Sequence, residues 1–192
     1  MSILIHIRIV IVAARKTFAQ TFFCILIIGK QYISDSHELS AKKSSLMQRT
    51  VATMKKTRLL NSQLSGAIAS LGHGQGLTVC DCGLPIGDSV ERIDLALTHG
   101  VPGFLDTLDV VFSETVVEEI IIAKEFAQVS PELYQQFAER IRRLGEEQGA
   151  PVKVVQATHE SFKAQSDLSK AVVRTGECTP YANVILKSGV AF

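Results

Sequence analysis

The apolar positions change rhythm along the chain, and each change marks an element. After Asn61 and Ser62, both good helix N-caps, Leu64, Ile68 and Leu71 recur at helical spacing and predict a short helix over 62–71. Gly72, Gly74 and Gly76 break it, and Leu77 to Asp81 reads as a short apolar strand. Ile93, Leu95 and Leu97 alternate with polar or small residues as a second strand would. Pro102 suits the first position of a helix carrying Phe104, Leu105, Leu108 and Val111. Val116 to Phe126, with three consecutive isoleucines, predicts a buried strand.

Ser130-Pro131-Glu132 is a helix start, and Leu133, Phe137, Ile141 and Leu144 give that helix one apolar face as far as Gln148, before Gly149 closes it. Further strands are expected over Val152–Ala157, Ala171–Arg174 and Tyr181–Lys187, with a helix capped by Thr158 between the first two. Strands alternating with helices imply an α/β class protein: one layered domain with a central, mostly parallel or mixed sheet flanked by helices. That domain fills 54–192.

Residues 1–53 follow another pattern. They are strongly apolar up to Gly29, but the longest uncharged run, Thr17 to Gly29, falls short of the roughly 18–20 residues that span a bilayer. Residues 31–53 are polar and serine-rich, and Met54-Lys55-Lys56 is a plausible translation start. The reading favoured is a non-native or disordered N-terminal extension, translated from a start codon placed too early. An export or membrane signal and a folded helical extension are the alternatives.

Charge sharpens this division. Residues 1–53 carry seven Lys/Arg against two acidic residues, whereas the other 13 basic residues face 17 acidic ones in the body. A mildly acidic body gives no reason to expect nucleic acid as a partner. Four cysteines at irregular spacing form no disulfide framework and read as reduced thiols of a cytoplasmic protein.

Three polar clusters stand at predicted strand boundaries, where α/β folds hold ligands. The first is His73, in a glycine-flanked turn, with Asp81 eight positions later; a turn and a short strand could bring the two into one pocket. The second is His159 at a helix start. The third is the turn Gly176 to Asn183. Each has a plain structural reading as well: a solvated loop histidine, a carboxylate serving a turn, and ordinary strand residues at Tyr181 and Asn183. His99 reads as structural, and Arg140, Arg142 and Arg143 as the wet face of a helix. The run G-H-G-Q-G is no phosphate loop, because it leads from helix to strand rather than from strand to helix. The cysteine spacing matches no zinc pattern, and no G-x-S-x-G occurs.

Five blocks, MKKTRLLNS, LGHGQGLTVCDCGLPI, RIDLALTHGVPGF, THESFK and RTGECTPYANVIL, together closely resemble the ribose pyranase/fucose mutarotase family, in order from Met54 to Phe192. The resemblance does not cover residues 1–53. It implies interconversion of the pyranose and furanose rings of D-ribose, with no metal and no organic cofactor. It also implies a cytoplasmic, ring-shaped homo-oligomer, a decamer of two pentamers, supplying the sugar form that ribokinase takes, with no membrane or nucleic-acid partner. The family's proton donor in the L-G-H motif falls on His73. Its substrate-binding aspartate in C-D-x-G-L-P falls on Asp81, the histidine of T-H-E-x-F on His159, and Y-A-N on Tyr181, Ala182 and Asn183. The rivals are a mutarotase for another sugar such as L-fucose, and a non-catalytic sugar-binding subunit.

Overall fold

The computed structural model describes residues 55–190, and the expectations for residues 1–53 lie outside them. Six strands form one sheet in the order β2-β5-β1-β6-β3-β4: β1 (Gly76–Cys80), β2 (Glu91–Asp94), β3 (Val117–Ala123), β4 (Lys153–Ala157), β5 (Ala171–Arg174) and β6 (Val184–Ser188). The β1–β5, β2–β5 and β3–β4 pairs are parallel, and β6 runs antiparallel to both of its neighbours, β1 and β3. Five strands therefore point one way and β6 the other. The C-terminal ends of the five and the N-terminal end of β6 meet on one edge.

Alternation along the strands sorts the core onto two faces. Leu77, Val79, Ile120, Ile122, Val173, Val184 and Leu186 pack on one face with α1 (Ser62–Ala69), α2 (Phe104–Phe112), α3 (Glu125–Val129) and α4 (Pro131–Gln148). Phe104, Phe126 and Phe137 meet there in mutual ring contact, with centroids 5.7–6.1 Å apart. Cys80, Ile121, Val172 and Ile185 face the other way, against Phe162 of α5 (His159–Ser166). A sheet covered on both faces explains why its central strands read as continuous apolar runs. Among the described residues, no helix is long and apolar enough to cross a membrane.

The layered α/β expectation holds, and the boundaries move for identifiable reasons. Asn61 caps α1 as expected, its side chain accepting from Leu64 N–H at 2.9 Å. The second strand stops at Asp94, because only Ile93 is buried in it and Leu97 lies 81% exposed. Pro102 precedes α2 rather than opening it, and Gly103 holds the cap position. The isoleucine strand ends at Ala123, and Phe126 belongs to the short α3. Gly149 closes α4 at φ 74, a left-handed conformation that glycine adopts without a Cβ clash. Tyr181 is not a strand residue: its φ is +63, in a turn that precedes β6.

Candidate functional site

The loops at the shared strand edge surround a cavity of about 360 Å³ lined by Asp81 to Pro85, His159, Glu177, Cys178, Pro180, Tyr181 and Asn183. Each polar group arrives by a short route from a strand end. Asp81 directly follows β1, His159 lies two residues beyond β4, and the segment 175–183 joins β5 to β6.

Asp81 and Asn183 form a reciprocal pair. The Asn183 side-chain amide donates to Asp81 Oδ2 at 2.8 Å, and the Asp81 backbone N–H donates to Asn183 Oδ1 at 2.9 Å. Gly83 N–H donates to Asp81 Oδ1 at 2.9 Å, so both carboxylate oxygens are fixed and each keeps lone pairs for a further donor. The pair is nearly closed to solvent, with Asp81 9% and Asn183 1% exposed.

His159 opens α5, and Thr158 caps that helix by accepting from Ser161 N–H. The imidazole meets the Tyr181 ring edge to face at 5.0 Å. Among the described residues its buried Nδ1 has no hydrogen-bond partner, nor has Oε2 of Glu125, whose Oε1 accepts from His159 N–H. Native proteins leave few buried polar atoms unpaired, and His159 lines the cavity, so its unpaired Nδ1 points to a polar partner from outside the chain. Tyr181, held at positive φ, stores backbone strain of a kind that concentrates at ligand sites.

The loop 175–183 is anchored from three sides. Glu177 takes hydrogen bonds from Cys178 N–H, Thr179 N–H and the Thr179 hydroxyl through Oε1, and from Phe104 N–H through Oε2. Burial pushes the Glu177 carboxyl up, but the bonds from Thr179, Phe104 and Cys178 outweigh it and hold the group below its usual range. The Phe104 contact serves an orphan N–H at the start of α2, where Gly103 has no side chain to offer. Ser130 is expected to cap α4 with its hydroxyl, yet that hydroxyl donates to Pro180 O at 2.9 Å and ties the loop to the helix start. Gly176 is required for close approach: a Cβ there would lie 2.4 Å from the carbonyl oxygens of Thr98 and Val101.

His73 is elsewhere. It precedes β1, whereas Asp81 follows it, so the strand separates them by roughly 16 Å. The expectation that turn and strand would bring both into one pocket of the same chain is corrected by this geometry, since a fully extended strand carries its two ends to opposite edges of the sheet. His73 is 59% exposed, with Nε2 placed 2.8 Å from Glu118 Oε2. The structure brings together Asp81, His159, Tyr181 and Asn183 at the cavity. Ala182 is fully buried in the core beside it. Sequence reasoning did not find Glu125 or the anchoring role of Glu177. Glu125 sits in what reads as a continuous strand, where nothing singles it out.

Fold and cavity together define an α/β protein with a ligand-sized pocket at the C-terminal edge of its parallel strands, where a few polar groups converge. The chain belongs to the RbsD / FucU transport protein family, whose description matches residues 54–191. It is 54% identical to a D-ribose pyranase of Vibrio parahaemolyticus and 56% identical to one of Actinobacillus pleuropneumoniae, each over 139 residues, 72% of this chain and the whole of the relative. Among solved structures, Bacillus subtilis RbsD complexed with D-ribose aligns with a TM-score of 0.63 at 42% identity, covering 72% of this chain and all of that one. A fucose mutarotase from Streptococcus pneumoniae, in complex with L-fucose, shares the fold with a TM-score of 0.55 at 22% identity, covering 68% of this chain and 93% of that one.

Proposed function

We propose that the protein is an isomerase that interconverts the pyranose and furanose rings of D-ribose. The observation that carries this reading is the cavity itself: a fixed carboxylate, an imidazole with an unpartnered nitrogen and a tyrosine ring, in a chain more than half identical to D-ribose pyranases along their whole length. Ring opening of a hemiacetal needs one proton delivered to the ring oxygen and one removed from the anomeric hydroxyl. Closure through a different hydroxyl then changes ring size, with no redox step.

In this reading Asp81 accepts hydrogen bonds from sugar hydroxyls, the anomeric one among them, through the lone pairs left by Asn183 and Gly83. His159 Nδ1 exchanges a hydrogen bond with a further hydroxyl, and the Tyr181 ring packs beside the sugar. Asn183 positions Asp81, and buried Ala182 sets the turn between its two neighbours. His73 is the proton donor, and because it stands on the opposite edge of its own sheet, it enters the cavity of a neighbouring copy. The functional unit is then a closed homo-oligomer, a decamer of two stacked pentamers, working in the cytoplasm. Residues 54–192 carry the activity. Positioned acid–base catalysis is worth on the order of 10²–10⁴-fold, a fitting scale for a reaction that already proceeds in water.

Magnetisation-transfer NMR of ribose ring forms tests this. The protein should accelerate exchange of D-ribose more than of L-fucose, and His73→Ala should abolish the acceleration. Faster exchange of L-fucose would assign the site to another sugar, and binding of ribose without acceleration would make the chain a non-catalytic subunit.

A further inference from the structure

Two thiols meet at the wall of the cavity. Cys82 Sγ and Cys178 Sγ lie 3.5 Å apart although 96 positions separate them, and both are free. Their backbones are already joined, since Cys82 N–H donates to Glu177 O at 2.7 Å. The pair borders two spaces at once: the site cavity, and a second cavity of about 260 Å³ lined by Leu97, Thr98, His99 and Arg174.

We infer that Cys82 and Cys178 are a redox modification site, closed to a disulfide by hydroperoxides, that switches the adjoining sugar site off. The switching part rests on the sugar-isomerase reading; the chemistry of the pair does not. Cys178 is exposed and meets the oxidant first. Its thiolate attacks the peroxide: an S–O bond forms, the O–O bond breaks, and one water leaves with the thiol proton. The Cys82 sulfur then attacks the sulfenic sulfur, an S–S bond forms, and the hydroxyl departs as a second water with the Cys82 proton. Two thiols and hydrogen peroxide give one disulfide and two waters; the sulfurs lose two electrons and the peroxide gains two.

The third described cysteine takes no part. Cys80 is fully buried, and burial, with the Asp81 charge adding to it, pushes its thiol up to about 12. The hydrogen bond with Cys178, then partial burial, pushes the Cys82 thiol up, which suits the resolving partner rather than the first to react.

The consequence for the site is mechanical. A disulfide needs its sulfurs at about 2.05 Å, so closure draws the two sulfurs together by about 1.5 Å and fixes both side chains. Cys82 adjoins Asp81, and Cys178 lies three residues before Tyr181 on the loop that also carries Asn183. Displacements of about 1 Å at a catalytic constellation can cost as much as 10²-fold in rate.

The test uses the full chain, reduced, desalted and treated with hydrogen peroxide. After denaturation and alkylation, peptide mass spectrometry should find Cys82 linked to Cys178 and Cys80 alkylated. Ribose ring exchange should fall by about tenfold or more and recover with dithiothreitol. Cys178→Ser, and independently Cys82→Ala should the first fail to fold, should keep its own reduced rate through the same treatment. Absence of the linked peptide, or linkage with an unchanged exchange rate, overturns the switch. A reduced protein that never accelerates ribose exchange overturns the sugar-isomerase reading and the switch with it, while the peptide map still decides whether the pair is a modification site.

Discussion

Asp81 and Asn183, 102 positions apart, each donate to and accept from the other, so the carboxylate just after β1 is oriented by the residue just before β6. The pair converts two loops into one rigid wall, and removing either half leaves a buried polar group unpaired, at about 1–3 kcal/mol.

Asn183→Ala is therefore expected to do two things at once. The melting temperature should fall, and ribose exchange should drop about tenfold or more, because Asp81 loses the donor that aims it. Asp81→Asn should be more severe in rate than in stability, since an amide can still pair with Asn183 but accepts fewer hydroxyl donors. Calorimetry and NMR exchange on the two variants check the split.

Placing His73 and Asp81 at opposite ends of β1 predicts subunit complementation. His73→Ala and Asp81→Ala homo-oligomers should each be inactive. Co-refolded mixtures should regain activity, because some cavities combine an intact donor with an intact carboxylate from different copies. Mixtures as inactive as either parent would restrict each site to one chain.

Gly176→Ala should be poorly tolerated. The new Cβ would press on two carbonyl oxygens and the Val101 nitrogen at 2.4–2.6 Å, all of them backbone and unable to rotate away. Overpacking of this kind costs about 1–3 kcal/mol, so a fall of about 5–10 °C in melting temperature is expected, with weakened ribose binding by calorimetry.

Glu177 sets an acid limit. Its folded-state pKa lies below its unfolded value, so its contribution to stability is complete above the unfolded value of about 4.3 and is lost as pH falls through the lower folded one. The melting-temperature gap between wild type and Glu177→Gln should be constant at pH 6–8 and close below about pH 4.

The natural N-terminus bears on residues 1–53. Intact-mass analysis of the protein purified from its source is expected to give a chain beginning at Met54 or Lys55, and a mass that includes residues 1–53 would refute the misplaced-start reading.

Much of this arrangement was legible in the sequence, and the rest was not for physical reasons. Helix α4 announced itself because an apolar face every three or four residues is a local signal, and the strands did so because burial on both faces makes them uniformly apolar. The order of strands is invisible to such patterns, so nothing in the chain revealed that β5 and β6 flank β1 and bring the segment 175–183 to Asp81. Side-chain duties reaching across the fold were equally hidden: Ser130 looks like any helix cap, and only the folded chain turns its hydroxyl to Pro180. Tyr181 alternates with apolar neighbours as a strand residue would, and its left-handed conformation is imposed by the turn that aims it at His159.

The place of β6 has a consequence for how the protein is made. It is the last of the described strands, yet it sits in the middle of the sheet, between β1 and β3. Until it arrives, β2-β5-β1 and β3-β4 are two sheet fragments with no shared backbone ladder, each offering an open edge. Asn183 and Tyr181 stand at its threshold, so the cavity and the continuous sheet come into being together, once β6 is in place. A nascent chain stopped short of Val184 would have neither, and its two exposed edges would be the surfaces through which it aggregates.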